Sequence, residues 1–130
     1  MLKKQSFMDL QHGAEEIVTL KELNLRDNER EAMLELKERV LEKFPEAEII
    51  LYGSKARGDF GNESDMDLLI LIDSQVNSKL EEEITHITFA LELKHDVVFG
   101  KIVENKNFWD TPLANAMPLH QNIDREGVRV

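Results

Sequence analysis

The sequence predicts a single α/β layer domain, and three observations carry that reading. Two short apolar runs, around Ile49-Ile50-Leu51 and through Leu68 to Ile72, have the length of buried strands. Two longer stretches carry apolar residues at helical spacing with charge between them, one through Met33, Leu36, Val40, Leu41 and Phe44, the other through Leu80, Ile84, Ile87 and Leu91. The order helix, strand, short helix, strand, helix, strand is that of one sheet with helices layered on it.

The elements follow in order. Ala14 to Leu23 reads as a short helix or part of an arm, and residues 1–25 are set apart from a domain spanning 26–130. The first clear helix begins near Arg26, with Asn24 or Asp27 as its N-cap, and Pro45 stops it. Ala47 to Tyr52 is a strand ended by Gly53. Ser54 to Gly58 forms a small loop or short helix, and Asp59 to Ser64, rich in Gly, Asn and Asp, a loop. Met66 to Asp73 is nearly continuous in apolar residues, as a central strand buried on both faces would be. Asn77 or Ser78 caps the next helix, with Glu81 three residues after Ser78. Asp96 to Val103 is expected as a third strand. In the tail, interrupted by Pro112 and Pro118, Ala114 to Leu119 forms a helical turn.

Composition bounds the function. A chain of 130 residues is about one domain, and 42% hydrophobic residues suffice for a core. With no cysteine there is no disulfide, zinc–thiolate site or cysteine nucleophile. No apolar run approaches the roughly 20 residues of a membrane span, and no apolar stretch follows the briefly basic N-terminus as in a signal peptide. The expected compartment is the cytoplasm. A formal net charge of −10 argues against a standing grip on nucleic acid, which requires Lys and Arg on phosphates. It leaves a nucleotide substrate open, because a divalent metal can supply positive charge locally.

The chemistry concentrates in Gly53-Ser54-Lys55-Ala56-Arg57-Gly58 and Asp65-Met66-Asp67. Strand side chains alternate, so Asp65 and Asp67 point the same way. Two adjacent carboxylates at the entry of a buried strand repel each other and resist desolvation, and a hard cation such as Mg²⁺ is the simplest partner. Ahead of them, the Gly53-Ser54 junction offers backbone N–H groups and a hydroxyl to phosphate oxygens. Lys55 is a cation that could face a phosphate. Arg57 suits either a phosphate contact or a salt bridge fixing the loop. His12, His86, His95 and His120 show no metal-ligand spacing, and Phe108 and Trp109 are expected to anchor the tail.

This Gly-Ser, a gap of about ten residues, then Asp-x-Asp resembles the minimal nucleotidyltransferase (MNT) family of the polymerase-β-type superfamily. Pro118-Leu119 and Ile123-Asp124-Arg125-Glu126-Gly127-Val128 resemble its closing segment. The resemblance implies the nucleotidyltransferase fold, a small mixed β-sheet with helices packed on it. It implies Mg²⁺ on Asp65 and Asp67, with Asp96 as a third acidic residue that binds metal or acts as a base near the acceptor. Gly53, Ser54 and Arg57 would bind the nucleotide, ATP for preference. AMP would pass to a hydroxyl, in this family often a tyrosine of a HEPN-type ribonuclease toxin, making the chain an antitoxin. A homo- or hetero-oligomer fits such a partnership. Two other readings stay open: a small-molecule nucleotidyltransferase of the aminoglycoside type, and a non-catalytic module that masks a toxin with its acidic surface.

Overall fold

The first helix, α1 (Asp27–Lys43), is bounded by its own chemistry. Arg26 is the N-cap, and its amide is taken by the carboxylate of Glu29, which donates nothing and accepts at Oε1 over 3.0 Å. The cap is therefore neither Asn24 nor Asp27. Phe44 closes the other end with its N–H on the Val40 carbonyl, and Pro45 follows. The computed structural model describes residues 23–58 and 65–130; the expected helix over 14–23, all but Leu23, and the loop over 59–64 lie outside them.

Strand β1 (Glu48–Tyr52) runs into a four-residue helix, α2 (Ser54–Arg57), through Gly53. Gly58 ends α2 with φ 84°, and its N–H bonds the Ser54 carbonyl over 2.8 Å. Strand β2 (Met66–Ile72) is buried along nearly its whole length, as its apolar run requires. Helix α3 (Ser78–His95) begins at Asn77, whose side chain accepts from the Leu80 N–H at 2.9 Å. Strand β3 spans Phe99–Asn105, so it starts three residues later than the sequence suggests. The tail is more ordered than expected: α4 (Lys106–Trp109), α5 (Pro112–Asn115), α6 (Pro118–Glu126) and a closing strand β4 (Val128–Arg129).

The sheet order is β3-β2-β1-β4. Strands β1 and β2 are antiparallel with Tyr52 opposite Asp67, and β2 and β3 are parallel with Asp67 opposite Gly100. The mixed sheet is thus as expected. Strand alternation divides the core. Ile49, Leu51, Met66, Leu68, Ile70 and Ile72 face the larger apolar cluster with α1 and α3. Ile50, Leu69 and Leu71 face a smaller cluster with Trp109 and Ile123 of the tail. Leu23 and Leu25 are buried in the larger cluster, so the core extends ahead of residue 26. Among the described residues no helix is long and apolar enough to cross a membrane.

Candidate active site

Asp67 shares its sheet face with Leu69 and Leu71, at the end of β2 where that apolar face opens. Two glycines lie close against its carboxylate. A Cβ on Gly53 would sit 2.5 Å from Asp67 Oδ2, and a Cβ on Gly100 would sit 2.9 Å from Oδ1. Gly53 also has φ 77° and ψ −158°, a conformation open almost only to glycine. The glycine of the Gly-Ser pair is therefore required twice, for its backbone and for the space Asp67 fills. Asp65, two residues earlier, is exposed just before the strand.

The charges around Asp67 are mostly of its own sign. Burial pushes its carboxyl above the ordinary range; the charge of Asp65 adds to this, Arg57 opposes it, and Glu126 adds further. Among the described residues its carboxylate accepts no hydrogen bond. Tyr52, directly across the strand pair, is shifted up as well, by burial and then by Asp67 and Glu126. A desolvated carboxylate beside a second one, with no donor to relieve it, fits a divalent cation. Mg²⁺ in particular is held by one or two carboxylates together with substrate phosphates. Among the described residues no group of three or more His, Asp or Glu side chains is arranged to hold a metal.

The turn between β1 and β2 sends its two cations to opposite places. Lys55 is fully buried, and its Nζ lies 2.6 Å from Glu29 Oε2. It does not face a phosphate. Its buried position on α2 points it at α1, where Glu29 also accepts from the Arg26 amide and, at 3.1 Å, from Arg26 Nη2. Burial raises the Glu29 carboxyl, but the hydrogen bonds from Lys55 and Arg26 and the Lys55 charge together hold it below the ordinary range. Arg57 is half-exposed, and its Nη1 donates to both oxygens of Glu126 at 3.2 and 3.0 Å. Glu126 Oε2 also accepts the Gly53 N–H at 2.7 Å. The salt-bridge reading of Arg57 is thus realised, and Glu126, named in the sequence only as part of the closing segment, joins the site as a further carboxylate. It lies 73 positions from Gly53, and no local pattern signals that contact.

Asp96 is not on a strand. It is the C-cap of α3, with left-handed φ 58° and ψ 54°, and it is exposed. Aspartate tolerates this conformation better than most residues. The Asn28 side chain donates to the carbonyls of His95 and Asp96 at 2.9 and 3.3 Å, tying this helix end to α1. The chain must reverse after His95 before Val98 can offer its carbonyl to the Met66 N–H, and that reversal uses the residues expected to open β3. Asp96 lies at the same end of the sheet as Asp65, but it is not among the charges that act on Asp67. The position beside Asp67 on β3 belongs to Gly100.

Known proteins are similar to this chain in sequence. Two proteins of Methanocaldococcus jannaschii, each carrying the name putative protein adenylyltransferase, are similar in sequence. One is 40% identical over 58 residues, covering 45% of this chain and 59% of its own length. The other is 35% identical over 79 residues, covering 61% of this chain and 72% of its own length. Residues 33–120 match the nucleotidyltransferase domain, a stretch that runs from α1 through both aspartates into α6. With that match over most of its length, the chain belongs to the nucleotidyltransferase domain family.

Proposed function

We propose that this protein transfers AMP from ATP to a hydroxyl of a protein partner, with Mg²⁺ bound by Asp65 and Asp67. The observation that carries the reading is Asp67 itself: a partly buried carboxylate with raised proton affinity, wedged between Gly53 and Gly100 and next to Asp65. A site of this kind is costly to the fold, and the cost is relieved by a cation. The similar M. jannaschii proteins, by their names, act on proteins, and the acceptor class proposed here follows them.

The residues divide the work. Asp65 and Asp67 would hold the metal, which would supply positive charge against the triphosphate and against charge developing at the reacting phosphate. Gly53 leaves room for the Asp67 carboxylate, while the Ser54 hydroxyl and, from its salt bridge to Glu126, Arg57 would meet the phosphates. The acceptor oxygen forms a bond to the α-phosphorus as the bond to the β-phosphate oxygen breaks. Pyrophosphate leaves and the hydroxyl proton passes to a base. Asp96, exposed at the C-cap of α3, is the residue we assign to the acceptor hydroxyl rather than to the metal.

A tyrosine of a HEPN-type ribonuclease toxin is the acceptor we propose, with the chain acting as its antitoxin in the cytoplasm, where ATP is at hand. The test is transfer of label from α-labelled ATP with Mg²⁺, with and without that partner, beside D65N and D67N. Label on the partner that disappears in the variants supports the reading. Labelling of aminoglycosides alone would move the acceptor to small molecules. Neutralisation of the toxin by D67N at ordinary expression levels would leave masking as the function.

A further inference from the structure

Besides the Lys55–Glu29 pair, the nucleotide turn is held from outside by the carboxylate of Glu126. Gly53, just before α2, and Arg57, its last residue, both donate to Glu126, over 2.7 Å from the Gly53 N–H and over 3.0 and 3.2 Å from Arg57 Nη1. The two ends of a four-residue helix are thereby joined through a side chain from the far end of the sequence. So short a helix has little hydrogen bonding of its own, and Gly53 sits in a backbone region that persists only when its surroundings over-determine it. Bonds from an amide and a guanidinium to a carboxylate are among the stronger ones a protein makes.

Glu126 is in turn held on both sides. Three residues before it, Ile123 is fully buried in the smaller apolar cluster. Two residues after it, Val128 pairs with Leu51 of β1. The Glu126 side chain is 13% exposed, so its position is set by packing and not by solvent.

We propose that Glu126 is the positioning residue of the nucleotide turn, holding the Gly53 backbone and the Arg57 guanidinium in the geometry that receives the triphosphate. This rests on the nucleotide-binding reading above. It assigns the closing helix and strand a part in the site: they deliver the carboxylate that shapes it.

The experiment combines two readouts on the full chain: amide hydrogen exchange at Gly53 by NMR in the ligand-free protein, and the Kd of Mg·ATP by titration calorimetry. Wild type, E126A, E126Q, R57A and R57A/E126A are compared, with Tm as the control for folding. E126A is expected to speed Gly53 exchange and to weaken Mg·ATP about tenfold. E126Q keeps an acceptor for the Gly53 N–H, so it should retain most of the exchange protection and lose less affinity. The double variant should lose less than the sum of the two single losses, because one of the contacts each residue makes is the contact between them. Unchanged Kd in E126A and E126Q would overturn the proposal, as would strictly additive losses. Tighter Mg·ATP binding by E126A would also overturn it, since the carboxylate would then be competing with phosphate. Absence of Mg·ATP binding by the wild type would overturn the nucleotide reading and this inference with it, whereas wild-type binding with unaffected Glu126 variants overturns this inference alone.

Discussion

Two carboxylates flank the same turn on opposite faces of the sheet, and the more deeply buried one is the one whose carboxyl is held below its ordinary range. The Glu29 side chain, 2% exposed on the α1 face, is met by the Lys55 ammonium and by donors from Arg26. Asp67, less buried on the other face, is met by Asp65 and Glu126, with Arg57 alone opposing them. Burial raises both groups; what differs is the company. On one face the protein has completed its electrostatics with its own side chains. On the other it has left a deficit of positive charge that a metal and its nucleotide can fill.

The largest effect expected from this contrast is on chemistry. D67N should lower transfer by about 10³-fold or more, because several kcal/mol of charge stabilisation go with the metal. In metal-free buffer at neutral pH it should leave Tm unchanged or raise it, since it removes an ionised carboxylate that the fold disfavours. A fall in Tm would break the comparison by showing Asp67 to be structurally paired.

Next in size is the buried pair. E29Q removes the carboxylate that lies 2.6 Å from the buried Lys55 ammonium, and should cost about 3–5 kcal/mol in denaturant unfolding. The double variant E29L/K55M should recover much of that loss, because a well-packed apolar replacement of a buried pair is often neutral. Full loss in the double variant would mean that the pair does more for the turn than satisfy two charges.

The glycines sharpen the Asp67 side. G53A places a methyl against Asp67 Oδ2 and strains a positive φ, so it should lose both stability and transfer. G100A meets only the movable carboxylate at 2.9 Å. It should lower transfer about tenfold by displacing Asp67, with Tm within a few degrees of wild type.

The smallest effect expected is on pH dependence, followed by Tm against pH without metal. The Glu29 carboxyl lies low in the folded state, so its stabilisation is present above the ordinary carboxylate range and is lost as pH falls through the folded value. The Asp67 carboxyl lies high, so its ionisation costs stability at neutral pH, and that cost is relieved as pH falls through its raised value. Wild type should therefore gain on D67N as the solution is acidified from neutral pH. A difference that stays constant would contradict the shift of Asp67.

Much of this protein could be read from neighbouring residues. Met33, Leu36 and Val40 repeat at the helical period and are fully buried, and the apolar run of β2 is buried on both faces. The Gly-Ser and Asp-x-Asp spacing pointed to a turn and a strand that the structure does bring together at Gly53 and Asp67. Errors fell where a boundary depends on distant contacts. Asp96 became a helix cap because α3 runs to His95 and is tied there to Asn28 of α1. The tail, broken by prolines, forms α6 and β4 because Ile123 and Val128 find the sheet to pack on and pair with.

Sequence order and residue type alone settled the local matters: the helical and strand periods, the absence of thiol chemistry, and the placing of Asp67 at the start of a buried strand with Asp65 just before it. These depend on backbone geometry that repeats every two or 3.6 residues. The tertiary structure alone decided where the charges end up. Lys55 turns inward because Glu29 is waiting across α1, Arg57 is held by a carboxylate from the closing helix, and Asp96 stays outside the aspartate pair. Coulomb energy depends on distance in space and on burial, and neither is a function of separation along the chain.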